Sequence, residues 1–137
     1  MVASVRRTSL ATHAPSLHDH PFFSGCSRRS LVQLERHGCC VALAPGAVVQ
    51  PRQPTRWVYF VLSGTLSIDA GSEAWLVGPG GTVGLQAAFG DDTPTLTIES
   101  ATTAVVYIIG GQGLRAIAVA IPTLLERIAT SLARHAI

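Results

Sequence analysis

Lysine is missing from the chain altogether. All ten basic residues are arginine, and they are scattered, with Arg6-Arg7 and Arg28-Arg29 the only adjacent pairs. Charged residues make up 13% of the sequence and the formal net charge is +2. A nucleic-acid binder presents a basic stripe, so this pattern argues against one, and duplex DNA is expected to bind only weakly and non-specifically. Cysteine is scarce and odd in number: Cys26, Cys39 and Cys40, with no C-x-x-C spacing. That excludes a disulfide framework or a zinc knuckle and predicts buried, reduced thiols in a cytoplasmic setting. No apolar run approaches the roughly 20 residues needed to span a bilayer, so no membrane partner is expected. The twin arginine Arg6-Arg7 lacks the apolar stretch an export signal requires, and residues 1–16, polar and without periodicity, are expected to form a disordered tail. Paired carboxylates for acid–base work are absent too. Asp91-Asp92 decorates a turn.

What is present suits one packed domain, placed at residues 17–137. Hydrophobic residues make up 47% of the 137, and a chain of that length buries about two-thirds of its unfolded surface. "SRRSLVQLERHG" predicts a short helix, capped by Ser27, presenting Leu31, Val32 and Leu34, and stopped by Gly38. From Cys39 the period falls to two. "CCVALAPGAVVQ" reads as strand, Pro45-Gly46 turn and strand. "RWVYFVLSGTLSID" reads as two strands broken at Ser63-Gly64. "EAWLVGPGG", "TLTIES" and "TAVVYII" supply three more, with Leu96 and Ile98 sharing a face. Short strands punctuated by Gly and Pro point to a sandwich or barrel. After Gly113 the period returns to helical: Leu114, Ile117, Ala118 and Ile121 on one helix, then a second opened by Pro122.

Three small motifs invite chemistry. "GQGLRA", Gly111 to Ala116, fits a dinucleotide fingerprint, yet no second parallel strand with an acidic residue follows it. His18, Asp19 and His20 could ligate a metal, but no other His or Cys pair has ligand spacing, so a surface cluster is the simpler reading. His37 and Cys39 stand two residues apart with no orienting carboxylate, which disfavours a nucleophile–base pair.

A larger constellation carries more. "HPFFSGCSRRSLVQLERH", "LAPGAVVQPRQPTRWVYFVLSGTLSI", "LVGPGGTVGLQAAF" and "GLRAIAVAIPTLLERIATSLARH" follow one another in the order of the cyclic nucleotide-binding domain family, which the chain resembles over about residues 18–135. The resemblance implies a mainly β fold: a cupin-like β-roll, or jelly roll, with an N-terminal helix and two C-terminal helices. It also implies a phosphate-binding cassette, in which small residues let backbone N–H groups approach a cyclic phosphate while a glutamate holds the ribose hydroxyl and an arginine neutralises the phosphate.

Carried onto this sequence, Gly84 matches the cassette glycine and Ala87 the small residue beyond it. Leu85 falls at the glutamate and Thr95 at the arginine, or Pro94 with a one-residue gap. No arginine lies between Arg56 and Arg115, so realignment restores none. Arg52, between Pro51 and Pro54, stands where the family's first loop has glycine. The ligand site implied is Gly84, Leu85, Gln86, Ala87 and Thr95, with two charged members gone. Loss of the phosphate's charge partner costs on the order of 2–5 kcal/mol and loss of the carboxylate roughly 1–3 more, so cyclic nucleotide is disfavoured as a ligand.

The reading is therefore a non-catalytic regulatory or interaction module with no metal, no cofactor and a protein partner as yet unidentified. One alternative is a cyclic-nucleotide sensor using Gln86, Thr95 and backbone groups. Another is a relative of the catabolite-activator-type regulators without the DNA-reading helices, since the sequence stops at Ile137. A barrel enzyme lacks a catalytic group. The closing helix is expected to carry one stripe, Leu125, Ile128, Ala129, Leu132 and Ala136, with Arg127, Thr130, Ser131 and Arg134 facing water. The stripe should pack on its own barrel near a pocket lined by Leu85, leaving any homo-oligomer weak or formed through another surface.

Overall fold

The computed structural model describes residues 5–7, 17–49, 57–89 and 96–135. Its strands are β1 (Val5–Arg7), β2 (Gly38–Leu43), β3 (Val48–Val49), β4 (Trp57–Ser63), β5 (Leu66–Asp69), β6 (Ala74–Val77), β7 (Thr82–Val83), β8 (Thr97–Ser100) and β9 (Ala104–Gly110). Its helices are α1 (Arg28–His37), α2 (Leu85–Ala88), α3 (Gly111–Ala120) and α4 (Pro122–His135), preceded by two 3-10 turns, Leu17–Asp19 and Pro21–Phe23. One sheet runs β1-β2-β9-β4-β7 and the other β3-β8-β5-β6, every pairing antiparallel.

Side-chain alternation along β4 and β9 builds three layers. Val58 and Phe60, with Tyr107 and Ile109, face a core shared with the helices. Tyr59 and Val61, with Ala104 and Val106, face the interior of the roll and the second sheet. Both faces of these strands are covered, which is why "WVYFV" and "AVVYII" read as nearly unbroken apolar runs. The break at Ser63-Gly64 has a steric cause. Gly64 has φ +79, and a Cβ there would collide with the Thr103 carbonyl and Ala104.

Helix α1 begins as its sequence predicts. Ser27 accepts a hydrogen bond from the Ser30 N–H at 3.1 Å, and Gly38 turns the chain out into β2. Of its apolar residues, Leu34 is buried, Leu31 half-buried and Val32 exposed.

Within the stretch 1–16, Val5–Arg7 form a short strand. These three residues pair with Val41–Leu43 and add an edge strand to the first sheet. A three-residue strand has no room for periodicity, and its partner lies far along the chain. The remainder of that stretch, Arg52 with its flanking prolines, and residues 90–95 (which include Asp91, Asp92, Pro94 and Thr95) lie outside the described residues.

The closing helix also differs from expectation. Leu124 and Ile128 are buried at 0% and 1%, whereas Leu125 is 44% exposed and Ala129 faces solvent; Leu132 is half-buried. The apolar face starts at Ile121, at the joint between α3 and α4, and runs on through Leu124 and Ile128 at helical spacing. Arg127 is half-buried rather than wholly in water. Its guanidinium donates to the carbonyls of Pro21 (3.0 Å), Phe22 (3.1 Å) and Ser24, tying α4 to the 3-10 turn.

Candidate functional site

The cassette begins at β7, which lies against Tyr59 and Phe60 of β4. Val83 faces the roll interior. Gly84 then reverses the alternation. Its φ is +88, and a Cβ would strike the Trp57 carbonyl, so this turn requires glycine. The chain winds at once into α2, a single helical turn in which the Ala88 N–H bonds the Gly84 carbonyl at 3.1 Å.

The reversal at Gly84 decides where Leu85 goes. Its side chain is 5% exposed and sits in the helix-side core, the cluster that holds Leu114, Ile117, Leu124 and Ile128. Leu85 was expected to wall an open pocket; instead it is committed to packing between α2, α3 and α4. Ala88 is buried in the same cluster, Phe89 packs on its margin and Gln86 is half-buried. Gly84, Leu85, Gln86 and Ala87 are thus contiguous in one turn, while Thr95 lies outside the described residues.

The phenol of Tyr59 faces the roll interior; it is 3% exposed, and burial pushes its pKa up to about 12. A neutral hydroxyl is therefore what this wall offers.

His20, which the sequence places in a surface cluster, is instead buried, at 2% exposure. Its Nδ1 accepts the Phe22 N–H at 3.1 Å, which leaves Nε2–H to donate to the Gly81 carbonyl at 3.2 Å. With both nitrogens engaged and the ring edge-on to Phe60 at 5.4 Å, this imidazole is a latch rather than a metal ligand. Burial lowers its pKa, outweighing the opposing pull of the Gly81 carbonyl. The signal in the sequence was "HPFF": a histidine one residue before a proline-opened turn can cap that turn. Asp19, its neighbour, is exposed. Among the described residues no group of three His, Cys, Asp or Glu side chains could hold a metal ion.

The other chemical candidates separate. His37 donates Nδ1–H back to the Gln33 carbonyl of its own helix at 2.9 Å. Cys26, Cys39 and Cys40 are free thiols, all half-buried rather than fully buried. Cys40 is raised to about 11, first by burial and then by Glu35 and Cys39, so it stays a neutral thiol near pH 7. "GQGLRA" does follow a strand and open α3, but α4 succeeds it.

Beside the His20 latch a cleft of about 730 Å³ opens between Phe22, the Gly78–Gly81 turn, Trp75 and Leu76 of β6, and Arg127 and Ser131 of α4. Among the described residues that line it, Arg127 alone is charged.

Residues 41–120, which run from β2 through the cassette to the end of α3, match the family model described as cyclic nucleotide-binding domain. The chain belongs to that family. Solved structures agree on the fold of this cyclic nucleotide-binding domain. A putative cyclic nucleotide-binding protein from Geobacter metallireducens superposes with a TM-score of 0.68 at 17% identity, covering 86% of this chain and 93% of that one. The regulatory subunit of a cAMP-independent protein kinase A from Trypanosoma brucei gives 0.67 at 17%, covering 84% of this chain and 42% of that chain. The Thermus thermophilus catabolite activator protein gives 0.66 at 17%, covering 84% and 57%. The domain therefore spans less than half of the trypanosomal subunit it matches. Among curated proteins no sequence match reaches significance. Within the described residues no helix is long and apolar enough to cross a membrane.

Proposed function

We propose that this domain is a non-catalytic regulatory or interaction module that does not hold cyclic AMP or cyclic GMP tightly. The observation that carries the reading is Leu85. At the cassette position where the family resemblance places a ribose-holding glutamate, this chain has an apolar side chain, and it is sunk in the helix-side core. The cassette turn thus serves as packing material between β7 and the closing helices. The family to which the chain belongs is typically regulatory rather than catalytic, and reduced thiols suit a cytoplasmic setting. The partner is proposed to be another protein.

Absence of the carboxylate and of an arginine between Arg56 and Arg115 removes three or more decades of affinity by the energies given above, so either nucleotide should bind more weakly than about 100 µM. Isothermal titration with cyclic AMP and with cyclic GMP tests this. A dissociation constant in the low micromolar range for either would overturn it.

A further inference from the structure

We propose that the outer edge of β6 is a self-association surface, pairing antiparallel with β6 of a second copy of this chain about a two-fold axis. β6 ends the four-stranded sheet. One edge bonds β5, and among the described residues no strand lies on the other. Its backbone N–H and C=O groups on that side are an open template for another strand. The sheets' other terminal strands are shorter: β1 has three residues, β3 and β7 two each, and β6 has four.

The sequence of β6 is Ala-Trp-Leu-Val. It contains no charge, proline or glycine, the usual means by which an edge is kept from pairing. Trp75 is 43% exposed and Leu76 68% exposed, so the longest free edge also carries two large apolar side chains. They stand on opposite faces. Trp75 is opposite Ile68 of β5, on the face turned toward the roll interior, and Leu76 is opposite Ser67, on the outer face. Pairing across this edge would cover both faces of the strand at once.

Symmetry narrows the register. Opposed residues in a continuous sheet share a face, and side chains alternate along each strand. A two-fold pair must therefore centre on a residue, either Trp75 opposite Trp75 or Leu76 opposite Leu76. The Trp75 register sets the exposed Glu73 of each copy opposite Val77 of the other. Val77 lines the cleft in which, among the described lining residues, Arg127 carries the charge. The axis thus carries each Glu73 to the strand of the other copy that borders the cleft holding Arg127, and does so twice, as an isologous interface demands. This complementarity favours a second copy over an unrelated strand, and a net charge of +2 opposes it little. A four-residue edge buries less than the roughly 1,200 Å² of a stable interface, so the dimer is weak and concentration-dependent.

Sedimentation velocity from about 5 µM to about 500 µM reads this directly. The wild-type chain should shift from monomer toward dimer across that range. Leu76→Lys and Glu73→Arg should each remain monomeric. Both side chains are exposed, so these variants should melt within about 2 °C of wild type. A wild-type chain that stays monomeric throughout overturns the pairing and leaves the edge to an extended segment of another protein. A dimer that survives both substitutions overturns it as well.

Discussion

The phenolic hydroxyl of Tyr107, on the central strand β9, donates to the main-chain carbonyl of Leu34 in α1. Both residues are 0% exposed. The bond fastens the N-terminal helix to the sheet across the helix-side core, and burial drives the phenol's pKa far above its ordinary value. The same carbonyl also accepts the Gly38 N–H at the helix end. Tyr107→Phe therefore leaves Leu34 with one partner rather than none. The expected cost is about 1 kcal/mol, a net hydrogen bond, and not the larger penalty of an orphaned buried carbonyl. Thermal denaturation should show a fall of about 3–5 °C. A fall above 10 °C would mean that the hydroxyl does more than this bond.

Leu85 separates a packing role from a ligand role. If it is core, Leu85→Ala should cost about 2–4 kcal/mol, as other buried leucines do. Leu85→Glu should cost more, since a carboxylate would enter an apolar cluster with no partner. It should also fail to confer nucleotide binding despite restoring the family's residue type. Chemical denaturation and titration calorimetry on the two variants check both points. A Leu85→Glu chain that folds as stably as wild type and gains affinity for cyclic AMP would show that the position faces a pocket.

The His20 latch predicts a pH dependence with a definite sign. Burial holds the folded-state pKa below the 6.5 of a free imidazole. Below pH 6.5 the unfolded chain takes up a proton that the folded chain resists, so the unfolded state binds more protons and stability is lost as the pH is lowered. Above that pH the term vanishes. Protonation of Nδ1 would also eject the Phe22 N–H that it accepts. Stability measured from pH 7.5 to pH 5 should drop more steeply for wild type than for His20→Gln, which cannot titrate. Parallel curves for the two proteins would remove His20 as the cause.

Much of the fold was legible because strands covered on both faces leave long apolar runs, and Gly or Pro marks each reversal. Gly64, forced to positive φ against Thr103, breaks β4 from β5 where the sequence shows Ser63-Gly64. The site was less legible. The spacing that assigns Leu85 to the cassette says nothing of which way its side chain turns, and that depends on the reversal at Gly84, held against the Trp57 carbonyl. His20 and Arg127 were misplaced for a related reason. The sequence places these polar residues in water, yet each is drawn inward by main-chain carbonyls at turns: Gly81 for His20, and Pro21, Phe22 and Ser24 for Arg127. Tertiary demand of that kind leaves no periodic trace.

Leu124 and Leu125 are adjacent, identical and opposite in fate. Either begins a plausible stripe, since Leu124 lies four residues before Ile128 and Leu125 three. The sequence alone does not choose. Continuity does: Ile121, at the joint with α3, is buried at 8%, and three residues on from it is Leu124. Leu124 thereby enters the cluster that holds Leu85 and Leu114, while Leu125 turns outward. Leu124→Ala should destabilise by about 2–5 kcal/mol, through lost transfer energy plus the cavity left behind, which corresponds to a fall of about 6–25 °C. Leu125→Ala should stay within about 0.5 kcal/mol of wild type. Thermal melts of the two single variants decide the phase of α4. Equal losses would mean that the helix buries both faces, and a larger loss at Leu125 would mean that it is rotated by a full residue, which would put Arg127 out of reach of its three carbonyls.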